Sequence, residues 1–177
     1  MVNLIALFAA AMAVMNVFAF LTIPIDDISL SFTNFHPQAL LLFPFAHFNV
    51  YHLIENLMGL LLTAALAIEL DINPTRFMTA YALGAFIAVP LLFFFPGAVI
   101  AGNSTAIFGA LAVSLDRARG MIPVKFSYPM VVMFIFGVSV VNSFEAGRMI
   151  AVRSDVFHLA GFIAGASATF TNRKIHV

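Results

Sequence analysis

The sequence predicts an all-α membrane protein with six transmembrane helices, the fourth of them short and central. Three observations carry this. Of 177 residues, 63% are hydrophobic and 9% charged, against about 45–50% apolar and about 25% charged in soluble domains. The apolar residues gather into segments that suit a bilayer core of about 30 Å, which takes about 20 residues of helix to cross. The fourth segment is too short for that and follows a Pro96-Gly97 turn signal.

In order, the predicted helices run over 3–24, 49–70, 75–95, 103–115, 128–145 and 155–171, as one domain over 1–177. The first is apolar from Met1 to Pro24 without a basic start. A cleaved signal peptide has such a start and a shorter apolar core, so this segment reads as a retained span. The second and third follow a first loop at about 25–47. The fourth begins at Gly102-Asn103-Ser104, consistent with a chain that dips below the membrane surface before turning helical. Non-helical backbone at that depth is tolerated only where it lines a cavity or is buried in protein. There are twenty-one Phe and no Trp, so Tyr51, Tyr81 and Tyr128 are expected to supply part of the aromatic belt at the membrane interfaces.

Orientation follows from Lys and Arg. With the amino terminus inside, the inner loops hold Arg76, Arg117, Arg119, Lys125, Arg173 and Lys174, and the outer ones only Arg148 and Arg153. The positive-inside rule then makes the amino terminus cytoplasmic. A formal net charge of +0 argues against a nucleic-acid partner. With no cysteine, disulfides, thiolate chemistry and thiolate zinc sites are excluded.

Three polar clusters interrupt the apolar segments: His52-Leu53-Ile54-Glu55-Asn56, Gly102-Asn103-Ser104 and His158-Leu159-Ala160-Gly161. Polar side chains in hydrocarbon cost a few kcal/mol and mark function by default. With this topology the second, fourth and sixth helices all start on the outer side, so His52, Asn56, Ser104 and His158 are expected at similar shallow depth, His158 one turn into its helix. Ser104 is the candidate nucleophile and His158 the base that takes its proton. Asp155 is expected to face the headgroups, which leaves a Ser–His dyad rather than a triad. His52 and Asn56, four apart on one helix face, are candidate oxyanion donors together with the Ser104 N–H. Each residue also has a plainer reading: Ser104 as a helix-start cap, His158 as an interfacial histidine, and His52 with Asn56 as polar glue between helices. Glu55 has no assigned role. Gly161 and Gly165 form a Gly-x-x-x-Gly run for close helix approach, Gly109 offers the same on the fourth helix, and Phe108 is placed to stack on the His158 ring.

Taken together, these residues resemble the rhomboid family of intramembrane serine proteases. Its His-x4-His-x3-Asn run corresponds to His47, His52 and Asn56, its Gly-x-Ser motif to Gly102-Asn103-Ser104, and its His-x2-Gly-x3-Gly motif to His158, Gly161 and Gly165. The resemblance covers roughly residues 2–171. It implies a rhomboid-like bundle in the cell membrane, with Ser104 as nucleophile, His158 as base and an oxyanion hole of His52, Asn56 and the Ser104 N–H. It gives His47 a structural place before the second helix and Phe108 the position of an aromatic on the catalytic histidine. It implies cleavage of transmembrane segments of other membrane proteins near their outer end, without metal or cofactor. Substrate would enter from the bilayer past the fifth and second helices. Two departures stand out: Thr105 where the family usually has Gly, and a first loop without the Trp-Arg pair common in relatives.

Two rival readings remain at this level. A non-cutting rhomboid-fold binder of membrane helices is favoured only by Thr105. A metal-handling transporter would use His47, His52, Glu55 and His158, but the chain has no His-Glu-x-x-His run and no inverted-repeat pattern of broken helices. The oligomeric state is not legible in the sequence.

Overall fold

The computed structural model describes residues 3–118 and 148–169, with the backbone alone for 148–153. Its elements are α1 (Leu4–Thr22), α2 (Ile25–Ile28), β1 (Leu30–Ser31), α3 (Ala39–Leu42), α4 (Val50–Glu69), α5 (Pro74–Phe86), α6 (Ala88–Leu91), β2 (Val99–Ile100), α7 (Ser104–Ala118) and α8 (Arg148–Ser167). Single 3-10 turns follow α3 and α6. The described chain is mostly helical. Among the described residues, three stretches are long and apolar enough to cross a membrane: Leu4–Thr22, Val50–Glu69 and Pro74–Phe94. The fifth predicted helix, 128–145, lies outside the described residues.

Among the described residues, four helices begin after an asparagine. Asn3 Oδ1 accepts from the Ile5 N–H, Asn49 Oδ1 from His52 N–H and Asn73 Oδ1 from Thr75 N–H, each at 2.9 Å. These side chains satisfy donors that a helix start leaves without intrahelical partners. The fourth asparagine, Asn103, behaves differently.

The third predicted helix is broken. α5 stops at Phe86 because Pro90, four residues on, has no N–H to donate and its ring crowds the Phe86 carbonyl. The chain continues through α6 and a 3-10 turn to Phe94. The last helix is already formed at Arg148, not near 155 as its charges suggested. Arg148, Met149, Ala151 and Arg153 are good helix formers, and no Pro or Gly interrupts them. His158 therefore stands at least ten residues into α8, about 15 Å past Arg148, rather than one turn in.

α7 is the centre of the assembly. It packs on α4, α5 and α8, while α1 packs on α4. Thr105 through Ala110 are all buried, so the helix has no lipid-facing side in its first turns. Glycines bring the neighbours close. A Cβ on Gly84 would lie 2.7 Å from the Thr105 carbonyl oxygen and 3.0 Å from Gly109 Cα. One on Gly165 would run into the Gly109 backbone, and one on Gly161 into that of Thr105. Van der Waals contact and small residues are what hold helices together where lipid is as apolar as the core.

Arg76 donates to Asp116 at 3.0 Å, and Arg117 Nε to the Leu70 carbonyl at 3.4 Å. The start of α5 and the end of α7 thus meet at one end of the bundle, and the polar clusters occupy the other.

Candidate active site

Ser104 opens α7. The Asn103 carbonyl accepts the first helical bond, from Ile107 N–H at 2.9 Å, which makes Asn103 the N-cap residue. Gly102 precedes it with φ +94°, a conformation that glycine adopts without the penalty of a Cβ. That loop is held from two directions. β1 and β2 pair antiparallel, Leu30 with Ile100 and Ser31 with Val99, and Gly102 N–H donates to the Phe43 carbonyl at 3.0 Å. The first loop is therefore not irregular throughout: it positions the turn before Ser104.

His158 reaches the same point from α8. Its Nε2 lies 2.8 Å from Ser104 Oγ, a bond between residues 54 positions apart. The Phe108 ring stacks on the imidazole with centroids 4.7 Å apart and planes 29° from parallel. Gly161, one turn past His158, abuts the Thr105 backbone and brings α8 alongside the start of α7. His158 Nδ1 is buried with no hydrogen-bond partner among the described residues, so no carboxylate there completes a triad. An imidazole nitrogen at this distance from a hydroxyl can take its proton.

The α4 side of the site is built on the Asn49 cap. Asn49 Oδ1 ties the His52 N–H, and the Phe48 N–H approaches His52 Nδ1 at 3.4 Å. A ring nitrogen that accepts is unprotonated, so the neutral tautomer carries its hydrogen on Nε2. That Nε2 faces the Gly102 turn, where an added Cβ would stand 3.0 Å from it and 2.9 Å from Cε1. Asn56, 4% exposed, donates from Nδ2 to the His52 carbonyl at 2.8 Å and keeps a second amide hydrogen. The same added Cβ would lie 3.4 Å from Asn56 Oδ1. His52 and Asn56 thus converge on the residue two before Ser104.

His47 is buried beneath them. Its Nδ1 donates to the Phe45 carbonyl at 3.1 Å, and its ring lies 5.1 Å from that of His52. Burial holds the His47 imidazole below its ordinary pKa, with the Phe45 carbonyl acting in the opposite direction. Thr105 is buried at 3% exposure, and its hydroxyl has no partner among the described residues. Its side chain leaves the Ser104–His158 bond intact. Glu55 is exposed on α4. Among the described residues, no three His, Cys, Asp or Glu side chains gather as a metal ion would require.

The sequence reading missed two residues. Tyr81, expected at a membrane interface, is buried in α5, where its hydroxyl bonds to the Asn103 amide at 2.9 Å. Gly84, one turn later, is the α5 counterpart of Gly109. A Tyr-x-x-Gly pair on one helix face was the available signal. Tyr51 is 74% exposed, and Tyr128 lies outside the described residues.

Comparison with curated proteins and with solved structures returns no match. A family model, the Rhomboid domain, matches residues 35–175, a stretch that includes every residue of the site just described. The chain belongs to the rhomboid family.

Proposed function

We propose that this membrane protein is an intramembrane serine endopeptidase that cuts transmembrane segments of other proteins near their outer end. The observation that carries the reading is the 2.8 Å contact between Ser104 Oγ and His158 Nε2, made across two helices inside a bundle of rhomboid family. In the reaction, His158 takes the Ser104 proton as Oγ attacks the peptide carbonyl. The tetrahedral oxyanion is met by His52 Nε2–H, the free Asn56 amide hydrogen and the Ser104 N–H, each a donor of the kind worth a few kcal/mol of barrier. His158 then protonates the leaving amine, and water hydrolyses the acyl-enzyme with His158 again as base. Phe108 limits the ring to one plane, so Nε2 stays on the serine through both steps.

The chain is read as six spans in the cell membrane, amino terminus in the cytoplasm, with the site open to the outer face. Its partners are transmembrane protein substrates and the lipid bilayer. Because a helical peptide bond is shielded by its own hydrogen bonds, substrates with small or helix-breaking residues near the cut are preferred. A panel of tagged transmembrane segments in proteoliposomes tests this. Cleavage near the outer end by wild-type protein, lost in Ser104→Ala, is the expected result. Segments that are bound but not cut by either protein would establish the non-cutting binder instead.

A further inference from the structure

Asn103 stands at the N-cap position of α7, as Asn3, Asn49 and Asn73 stand at the starts of α1, α4 and α5. Those three turn their side-chain oxygen onto the N–H groups of the first turn. Asn103 does not. Its amide points away, donates to Tyr81 Oη at 2.9 Å, and leaves Oδ1 buried with no partner among the described residues. A phenol both donates and accepts, so the tether holds with either orientation of the amide. Tyr81 is itself fixed, 5% exposed, with the Phe8 ring edge-on at 5.2 Å.

An asparagine at this position ordinarily prefers to cap. Here capping would place a partly negative oxygen over the N–H groups that give the helix start its affinity for an anion. A cap reaches the second and third N–H groups of the helix, here those of Thr105 and Ala106, and so leaves the Ser104 N–H unbonded. It would still set a negative dipole beside the oxyanion that the Ser104 N–H is read as binding. We propose that Tyr81 is a positioning residue: it holds the Asn103 side chain off the start of α7 and keeps its negative dipole away from the transition-state oxyanion beside the Ser104 N–H. This rests on the serine-hydrolase reading of the site for its purpose, but the state of the helix start can be measured without it.

The test is hydrogen exchange of the Thr105 and Ala106 amides, followed beside the rate of fluorophosphonate labelling, in the whole protein in detergent. Tyr81→Phe releases the amide to cap. If capping is favoured about fivefold, as for an ordinary Asn cap, the uncapped fraction falls to about one-sixth. Exchange should then slow about sixfold, and labelling should slow with it, by at most that factor. Asn103→Ser is too short to reach Tyr81 and caps well, so it should behave alike. Tyr81→Phe with Asn103→Leu removes both the tether and the cap, and both rates should return to those of wild type. Mere loosening of the bundle has the opposite signature, faster exchange in Tyr81→Phe, and that result or unchanged exchange overturns the proposal. Slowed exchange with full labelling also overturns it, because the cap's dipole would then have no bearing on the reaction. If the wild type takes no label at all, the hydrolase reading fails, while the exchange comparison still decides whether Tyr81 prevents capping.

Discussion

Gly161→Ala perturbs the helix packing right beside the Ser104–His158 contact. The added methyl would meet Thr105 C at 3.0 Å and Cα at 3.1 Å, where ordinary contact begins at 3.4 Å. The Thr105 carbonyl oxygen lies closer still, and clearing it takes about 1 Å of separation between α7 and α8. The obstacle is backbone, so no rotamer change relieves it. Carried to the adjacent Ser104–His158 contact, that shift stretches 2.8 Å to about 3.8 Å, beyond hydrogen-bond range. Overpacking of this kind costs about 1–3 kcal/mol of stability, and a misplacement of about 1 Å about 100-fold in rate. Two glycines serve as controls. Gly97→Ala meets nothing within 4 Å, and Gly59→Ala only the Ile107 side chain at 3.5 Å. The second should even stabilise α4 by up to about 1 kcal/mol, because alanine favours helix. The assay is the fluorophosphonate labelling rate of each variant, with thermal unfolding and size exclusion run alongside. A folded Gly161→Ala protein that labels at the wild-type rate would refute the claim that this glycine sets the distance between serine and histidine.

Three further outcomes are expected. Gly102→Ala must hold a positive φ, which costs about 1–2 kcal/mol, and must displace the His52 ring. The labelling rate should fall about 100-fold, the effect of losing one oxyanion donor, and an unchanged rate would remove His52 from that role. Phe108→Leu should slow labelling about fivefold, the equivalent of about 1 kcal/mol of ring stacking, whereas Phe108→Tyr should not; equal rates in the two would count against stacking as the restraint on His158. His47 has a pKa held low by burial, so as acid is added the unfolded chain takes the proton first. Its stabilising contribution is present above pH of about 6.5 and lost as pH falls below that. His47→Gln should therefore flatten the acid limb of the melting temperature against pH, and an acid limb as steep as that of wild type would contradict the buried neutral imidazole.

Much of the candidate site was legible because its chemistry is written in residue types that lipid otherwise excludes. Ser104, His158, His52 and Asn56 stand out against apolar neighbours, and the Gly161, Gly165 spacing announces a close helix contact. Spacing within one helix transfers directly to geometry, as for His52 and Asn56. What did not show was anything that depends on where a charged stretch stops being loop. Arg148, Arg153 and Asp155 look like a boundary by hydropathy, yet they extend α8, and His158 lies deeper along it than expected. The effect of Pro90 on α5 was readable in principle from the missing N–H. The pairing of Tyr81 with Asn103 was not, since it joins two helices whose register no local pattern specifies.

The central claim is that Ser104 is an activated nucleophile with His158 as its base. The most direct measurement is labelling of the purified protein by a fluorophosphonate, with the adduct mapped by mass spectrometry, beside Ser104→Ala and His158→Ala. The account predicts one phosphonylated residue, Ser104, and no labelling in either variant. A folded wild-type protein that takes no label in detergent or in lipid, or an adduct that survives Ser104→Ala, would contradict it.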